Sequence, residues 1–247
     1  MVLHTNKPPY RIERSNMQTL VFCAATKRLH WSAAVQECAA QAMLPVNAGQ
    51  MWAFRLEADS TDHADDYFMT STAAIYFLAN GKPSLAFYDA QHPDGRDNLL
   101  ISRATEGANA YATNGRWLVD MNDKMLTALL KHAEKRDRVI TSDTRAFSLD
   151  GKDRPHPITS AILGDHVLAS DVQAWLRAAG YKTAQPWTMT QQQLREQGVD
   201  AKHAEVRRVG MMTKHDTIDY HCSLDLYLDI GRARGVRNTS VKNKGDY

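Results

Sequence analysis

The chain has 247 residues, 43% of them hydrophobic, which is enough to bury a core and excludes global disorder. Thirty basic residues against 28 acidic ones leave a formal charge of +2, which excludes a surface that tracks nucleic acid or anionic lipid over its whole extent. Charge is uneven along the chain: residues 51–100 hold three basic and eight acidic residues, a net of −5, and residues 181–247 hold eleven and eight, a net of +3.

Near the start, Lys7, Pro8 and Pro9 interrupt the apolar run that a secretory leader needs, and nothing approaches the roughly 18 apolar residues of a spanning helix. Cys23, Cys38 and Cys222 are odd in number, widely spaced and without a CxxC pair. That is a poor disulfide framework, so buried free thiols in a cytoplasmic protein without membrane segments are expected.

The first element is a strand over Thr19 to Ala25. A helix follows from Ser32 to about Met43, because Val35, Cys38, Ala39 and Ala42 recur at helical spacing before Pro45. From Met51 the period reads as two, with Trp52, Phe54 and Leu56 alternating with Arg55 and Glu57, which predicts a half-buried strand. Two hairpins are predicted where Asn-Gly pairs supply the positive φ of a type I′ turn. Ile75 to Ala79 and Ser84 to Tyr88 flank Asn80-Gly81, and Ala110 to Thr113 and Arg116 to Val119 flank Asn114-Gly115, with a strand at Leu99 to Ser102 between them. A helix over Met121 to Arg136 is expected to take Asp120 or Asn122 as its cap and Met125, Leu129 and Ala133 as its buried face. Its basic end, Lys131, Lys135, Arg136 and Arg138, reads as solvated charge matched to the helix dipole.

Leu149 to Pro157 has turn and breaker chemistry, with Asp150-Gly151, Pro155 and Pro157, and is taken as a domain linker. Beyond it, Ser170 with Gln173 and Thr190 with Gln193 form capping boxes, with Gly180 and Gly198 as stops. Asp200 is expected to cap a third helix through Val209. Alternation of Ile218, Tyr220, Cys222, Leu224, Leu226, Leu228 and Ile230 with polar residues predicts a long strand, and a loose basic tail closes the chain.

Three helices followed by a β-hairpin is the order of a winged helix, and Gln191 to Arg208 loosely follows a helix-turn-helix. On that reading Arg207 and Arg208 face a major groove, and Arg232, Arg234 and Arg237 add phosphate contacts. Asp216, Asp219, Asp225 and Asp229 in the wing position oppose it. Trp187, between Pro186 and Thr188, is a candidate exposed interface anchor. Three acidic and histidine groups invite a metal test: Asp62-His63 with Asp65-Asp66; Asp89, His92, Asp94 and Asp97; and His215, Asp219 and His221. The third is favoured because a strand puts Asp219 and His221 on one face. No G-x-S-x-G, P-loop or GxGxxG is present, and no motif assigns a cofactor.

The sequence thus predicts an α+β fold. A β-rich domain over 1–148 is followed by a linker at 149–157, a domain of three helices and a β-hairpin over 158–232, and a flexible tail over 233–247. The expected function is that of a noncatalytic cytoplasmic binding or regulatory protein with a protein or nucleic-acid partner. The alternative is a metal-dependent hydrolase built on an Asp/His cluster.

Overall fold

A computed structural model describes residues 2–3, 10–13, 18–58, 67–89, 118–141, 147–149, 155–186, 188–214, 217–223 and 230–240. The chain runs through β1 (Val2–Leu3), β2 (Tyr10–Glu13), β3 (Gln18–Ala25), β4 (Leu29–His30), α1 (Trp31–Ala40), β5 (Leu44–Pro45) and α2 (Ala48–Ala58). The hairpin of β6 (Phe68–Ala79) and β7 (Lys82–Asp89) comes next, then β8 (Leu118–Asp120), α3 (Lys124–Glu134), β9 (Val139–Thr141) and β10 (Phe147–Ser148). A short helix α4 (Pro157–Leu163) continues into a 3-10 turn at Gly164–His166. It precedes α5 (Ala169–Ala178), β11 (Thr183–Pro186), α6 (Gln191–Glu196), β12 (His203–Lys214), β13 (Thr217–Ser223), β14 (Ile230–Gly231) and β15 (Arg234–Ser240).

The main sheet has the order β10-β11-β13-β12-β6-β7-β9, with β8 also pairing to β12. A second sheet runs β1-β2-β3-β15-β5, and β14 pairs with β4. Neighbours are antiparallel except β11 and β13, which are parallel. Helices and largely antiparallel sheets make this an α+β protein, as the sequence predicts. β6 is buried on both faces: Ala74 and Tyr76 join a core with Trp52, Ile158, Leu176 and Leu194, while Ala73, Ile75 and Phe77 join one with Trp31, Leu126 and Leu129. Helices α2, α4, α5 and α6 therefore cover one face of the strand, and α1 and α3 the other. Trp52 meets Trp175 edge to face, with centroids 5.5 Å apart, a geometry that contributes about 0.5–1.5 kcal/mol beyond burial. Among the described residues no helix is long and apolar enough to cross a membrane.

The Asn80-Gly81 hairpin forms as expected, with φ of 51° and 75° at the two turn residues. The Thr190–Gln193 capping box also forms in full. Helix α3 is capped instead by Asp123, whose carboxylate accepts from the Met125 and Leu126 N–H groups. That shifts the buried face to Leu126, Leu129 and Ala133, and Met125 is exposed.

Four expectations are corrected. Residues 51–57 are helical, not a strand. Asn47 Oδ1 accepts from the Gln50 N–H at 2.7 Å and the Asn47 N–H donates to Gln50 Oε1 at 3.0 Å, so the pair nucleates α2. Because Met51 to Arg55 are all buried, apolar spacing there reports burial on every side rather than a strand period. The helix expected over Asp200 to Val209 is the strand β12: Asp200 accepts from the N–H groups of Lys202 and His203 and turns the chain into the sheet. Without that helix the winged-helix order does not form. The domain boundary at 149–157 does not divide the main sheet, since β12 pairs with β6 on one side and β13 on the other. Finally, residues 234–240 of the expected tail form β15, which pairs with β3 and β5. The Asn114-Gly115 hairpin and the strand at Leu99 to Ser102 lie outside the described residues.

Candidate functional site

The basic residues read as a nucleic-acid surface are mostly core. Arg207 and Arg208 are 2% and 0% exposed, and Arg234 is 3% exposed. Strand periodicity puts Arg207 on the same face as Glu205, and their side chains pair at 2.9 Å with the guanidinium over the Tyr76 ring. Arg208, on the opposite face, lies against the rings of Trp31 and Tyr67. Arg234 stacks on Phe54 with its guanidinium carbon 3.9 Å from the ring centroid. Guanidinium groups held this way cannot reach phosphate without unfolding the sheet. Arg232 is half-buried and donates to the Thr26 carbonyl at 2.8 Å; Arg237 is exposed on β15. These five residues do not form one surface, and the nucleic-acid reading built on them is set aside. Asp219 and His221 both lie on β13, while His215 and Trp187 fall outside the described residues. Among the described residues no group of three His, Cys, Asp or Glu could hold a metal ion.

Two features that the sequence reading missed flank α4. At its C-terminal end Arg138 donates to the carbonyls of Ala161 at 2.7 Å and Ile162 at 3.0 Å, and makes a bidentate pair with Asp89 at 2.6 and 3.2 Å. The Thr72 hydroxyl donates to the same carboxylate at 2.8 Å, and itself accepts from the Ala48 N–H. Burial on its own would raise the Asp89 carboxyl, but the Arg138 charge, together with the hydrogen bonds of Arg138 and the contact from His166, outweighs burial and holds it well below the ordinary carboxylate range. His166 Nε2 lies 2.8 Å from Asn47 Nδ2 and 3.6 Å from Asp89. Asn47 Oδ1 is committed to the α2 cap, so its Nδ2 is the group that faces His166 Nε2. The cluster ties β6, β7, α2 and α4 together.

The other end of α4 carries a cavity of about 340 Å³ lined by Ile140, Thr141, His156, Pro157 and Ile158. His156 is the N-cap of α4, its Nδ1 accepting from the Ile158 N–H at 3.3 Å, and Pro157 fills the first helical position, where no N–H is needed. Phe147 stacks on the imidazole with centroids 4.1 Å apart and planes at 15°. Strands β9 and β10, the two edges of the main sheet among the described residues, are thereby both drawn to this helix start. Burial pushes the His156 pKa below its ordinary value, which favours the neutral ring. The signal in the sequence is Pro155-His156-Pro157, where a histidine directly before a first-turn proline stands at a cap position.

No family model matches this chain, and no curated protein matches it. It is similar to a solved structure described as the accommodation of massive sequence variation in Nanoarchaeota by the C-type lectin fold. The match covers 87% of this chain and 95% of that one, with 12% identity and a TM-score of 0.57. At that identity the likeness concerns the fold, which is α+β in both.

Proposed function

We propose that this chain is a noncatalytic cytoplasmic binding and regulatory protein that engages a protein partner from a C-type lectin-like scaffold. The observation that carries the reading is the fold match over nearly the whole of both chains. In the Nanoarchaeota protein that fold accommodates massive sequence variation, as a scaffold does when its core is specified separately from its surface. The core here fits such a role, because its buried charges are spent on structure: Arg138 on Asp89 and two helix carbonyls, Arg207 on Glu205. Cys23 and Cys38 are buried and free, and burial pushes both thiols up, Cys38 to about 12, which suits a reducing compartment.

The experiment is to immobilise the full chain and measure binding to a protein array, a glycan array, duplex DNA and single-stranded RNA at low and physiological salt. Saturable binding to a protein that persists at physiological salt is expected. Turnover of an ester, phosphodiester or glycoside that is lost in His166→Ala or His156→Ala would overturn the noncatalytic reading. Binding confined to nucleic acid would overturn the choice of partner.

A further inference from the structure

Three sulfur-bearing side chains meet beside the register shift of β15 at Gly235. On β3, Leu20 and Phe22 face the core that contains Trp52, and alternation sends Val21 and Cys23 to the other side, where they cluster with Met43 apart from both main cores. The Cβ that Gly235 lacks would stand 3.1 Å from Cys23 Sγ and 3.2 Å from Met43 Sδ, so the bare glycine is what lets both sulfurs border one spot. Cys38 arrives through the end of α1. The Met43 N–H donates to the Cys38 carbonyl at 3.0 Å and the Ala42 N–H to the Ala39 carbonyl at 2.9 Å, with Ala42 left-handed at a φ of 53°. This helix ending characteristically folds the side chain after the left-handed residue back onto the last turn, here Met43 toward Cys38. Cys23 is near enough to Cys38 to push its thiol up on top of burial, to about 12.

We propose that Cys23, Cys38 and Met43 form a site for one copper(I) ion, held by two thiolates and a thioether. The site is independent of the protein-partner surface proposed above. Thiolate and thioether ligands together select this soft cation over harder ones. A structural zinc calls for four donors, and among the described residues no third His, Cys, Asp or Glu joins the two cysteines. Each thiol releases its proton to solvent as it binds, which leaves the complex with one net negative charge. Strand β15 meets that charge: the Gly235 N–H donates to Cys23 Sγ at 2.9 Å, and Arg234, whose side chain donates to the Cys23 carbonyl, sets a positive charge beside the thiol. Glu37 is the acidic neighbour that opposes it. Ala39 to Ala42 and Leu44 are exposed around the buried Met43, so an ion reaches the sulfurs past the turn that ends α1.

The test is a titration of the reduced full chain with copper(I) under anaerobic conditions, in competition with bathocuproine disulfonate. A one-to-one complex is expected, with a thiolate-to-copper absorption band in the ultraviolet and sulfur-only ligation in the copper K-edge spectrum. Cys23→Ala and Cys38→Ala should each abolish it. Met43→Leu keeps the volume and should weaken it about tenfold or more, since even outer-shell partners of a metal are worth that much. Cys222→Ala should leave it unchanged, because β13 belongs to the main sheet. Circular dichroism checks that each variant is folded, and if a cysteine variant is not, Met43→Leu carries the comparison. Absence of a one-to-one complex in wild type overturns the proposal. So does nitrogen or oxygen ligation, an affinity unchanged in Met43→Leu, or a complex lost in Cys222→Ala but kept in Cys23→Ala.

Discussion

Replacing Asp89 by Asn keeps the shape of the side chain and removes its charge, leaving the Arg138 guanidinium unpaired at a site where the two side chains are only 14% and 7% exposed. Removing one partner of a buried ion pair costs about 3–5 kcal/mol, and the amide retains some hydrogen bonding, so a loss of about 3 kcal/mol at pH 7 is expected. For a chain of this size that corresponds to a fall of about 6–12 °C in Tm. The sign of the pH dependence follows from the depressed Asp89 pKa. Its stabilisation is fully present above the unfolded carboxylate value near ~3.9 and is lost as pH falls from there toward the folded value. At pH 3 the unfolded chain takes up the proton while the native Asp89 stays ionised, so the gap between wild type and variant should narrow by about 1 kcal/mol. Urea unfolding at pH 7 and pH 3 measures both quantities. Adding Arg138→Met should recover part of the loss, short of wild type because Arg138 also holds the Ala161 and Ile162 carbonyls. Equal stability of wild type and Asp89→Asn at pH 7, or a gap that does not change with pH, would refute the argument.

Arg207→Ala should cost about 3–5 kcal/mol by stranding Glu205 in the core, and Arg207→Met with Glu205→Leu should restore much of it; an unchanged urea midpoint for the single variant would show that the pair is not structural. Gly210→Ala places a methyl against the ring of Tyr67 and should cost about 1–3 kcal/mol, read as a lowered urea midpoint. Cleavage engineered within residues 149–157 should leave two fragments that elute together in size-exclusion chromatography, because β12 stays paired with β6. Separation under native conditions would argue for the division that the sequence predicts.

What the sequence made legible was local chemistry with a single reading. Asn80-Gly81 forms its turn because two adjacent residues that tolerate positive φ have few other uses, and Thr190 with Gln193 caps a helix through a contact three residues long. Failure came where burial erased the pattern. Met51 to Arg55 and Ala204 to Met211 are buried on all sides, so neither period distinguishes helix from strand, and Asp200 serves a turn as readily as a cap. The basic residues misled for a related reason. Arg207 and Arg208 read as surface because charge normally is, whereas the aromatic rings that hold them come from a distant strand and from helix α1, and the carboxylate from their own strand two residues away. The Asp89–Arg138 pair joins residues 49 apart, and the cavity at His156 joins β9 to α4 across the 142–154 region, relations that no local window contains.

The pairing of β15 with β3 sets a schedule for synthesis. Cys23 and Arg234, whose backbone and side chain meet across these strands, are 211 residues apart. At roughly 5–20 residues per second the ribosome needs roughly 10–40 s to supply the partner after β3 has emerged. Throughout that interval one side of β3, with the buried Leu20 and Phe22, has an open hydrogen-bonding edge of the kind that recruits strands from other chains. The second sheet closes late by construction, so conditions that slow elongation or withdraw chaperones should lower the yield of native protein without altering the stability of the finished fold.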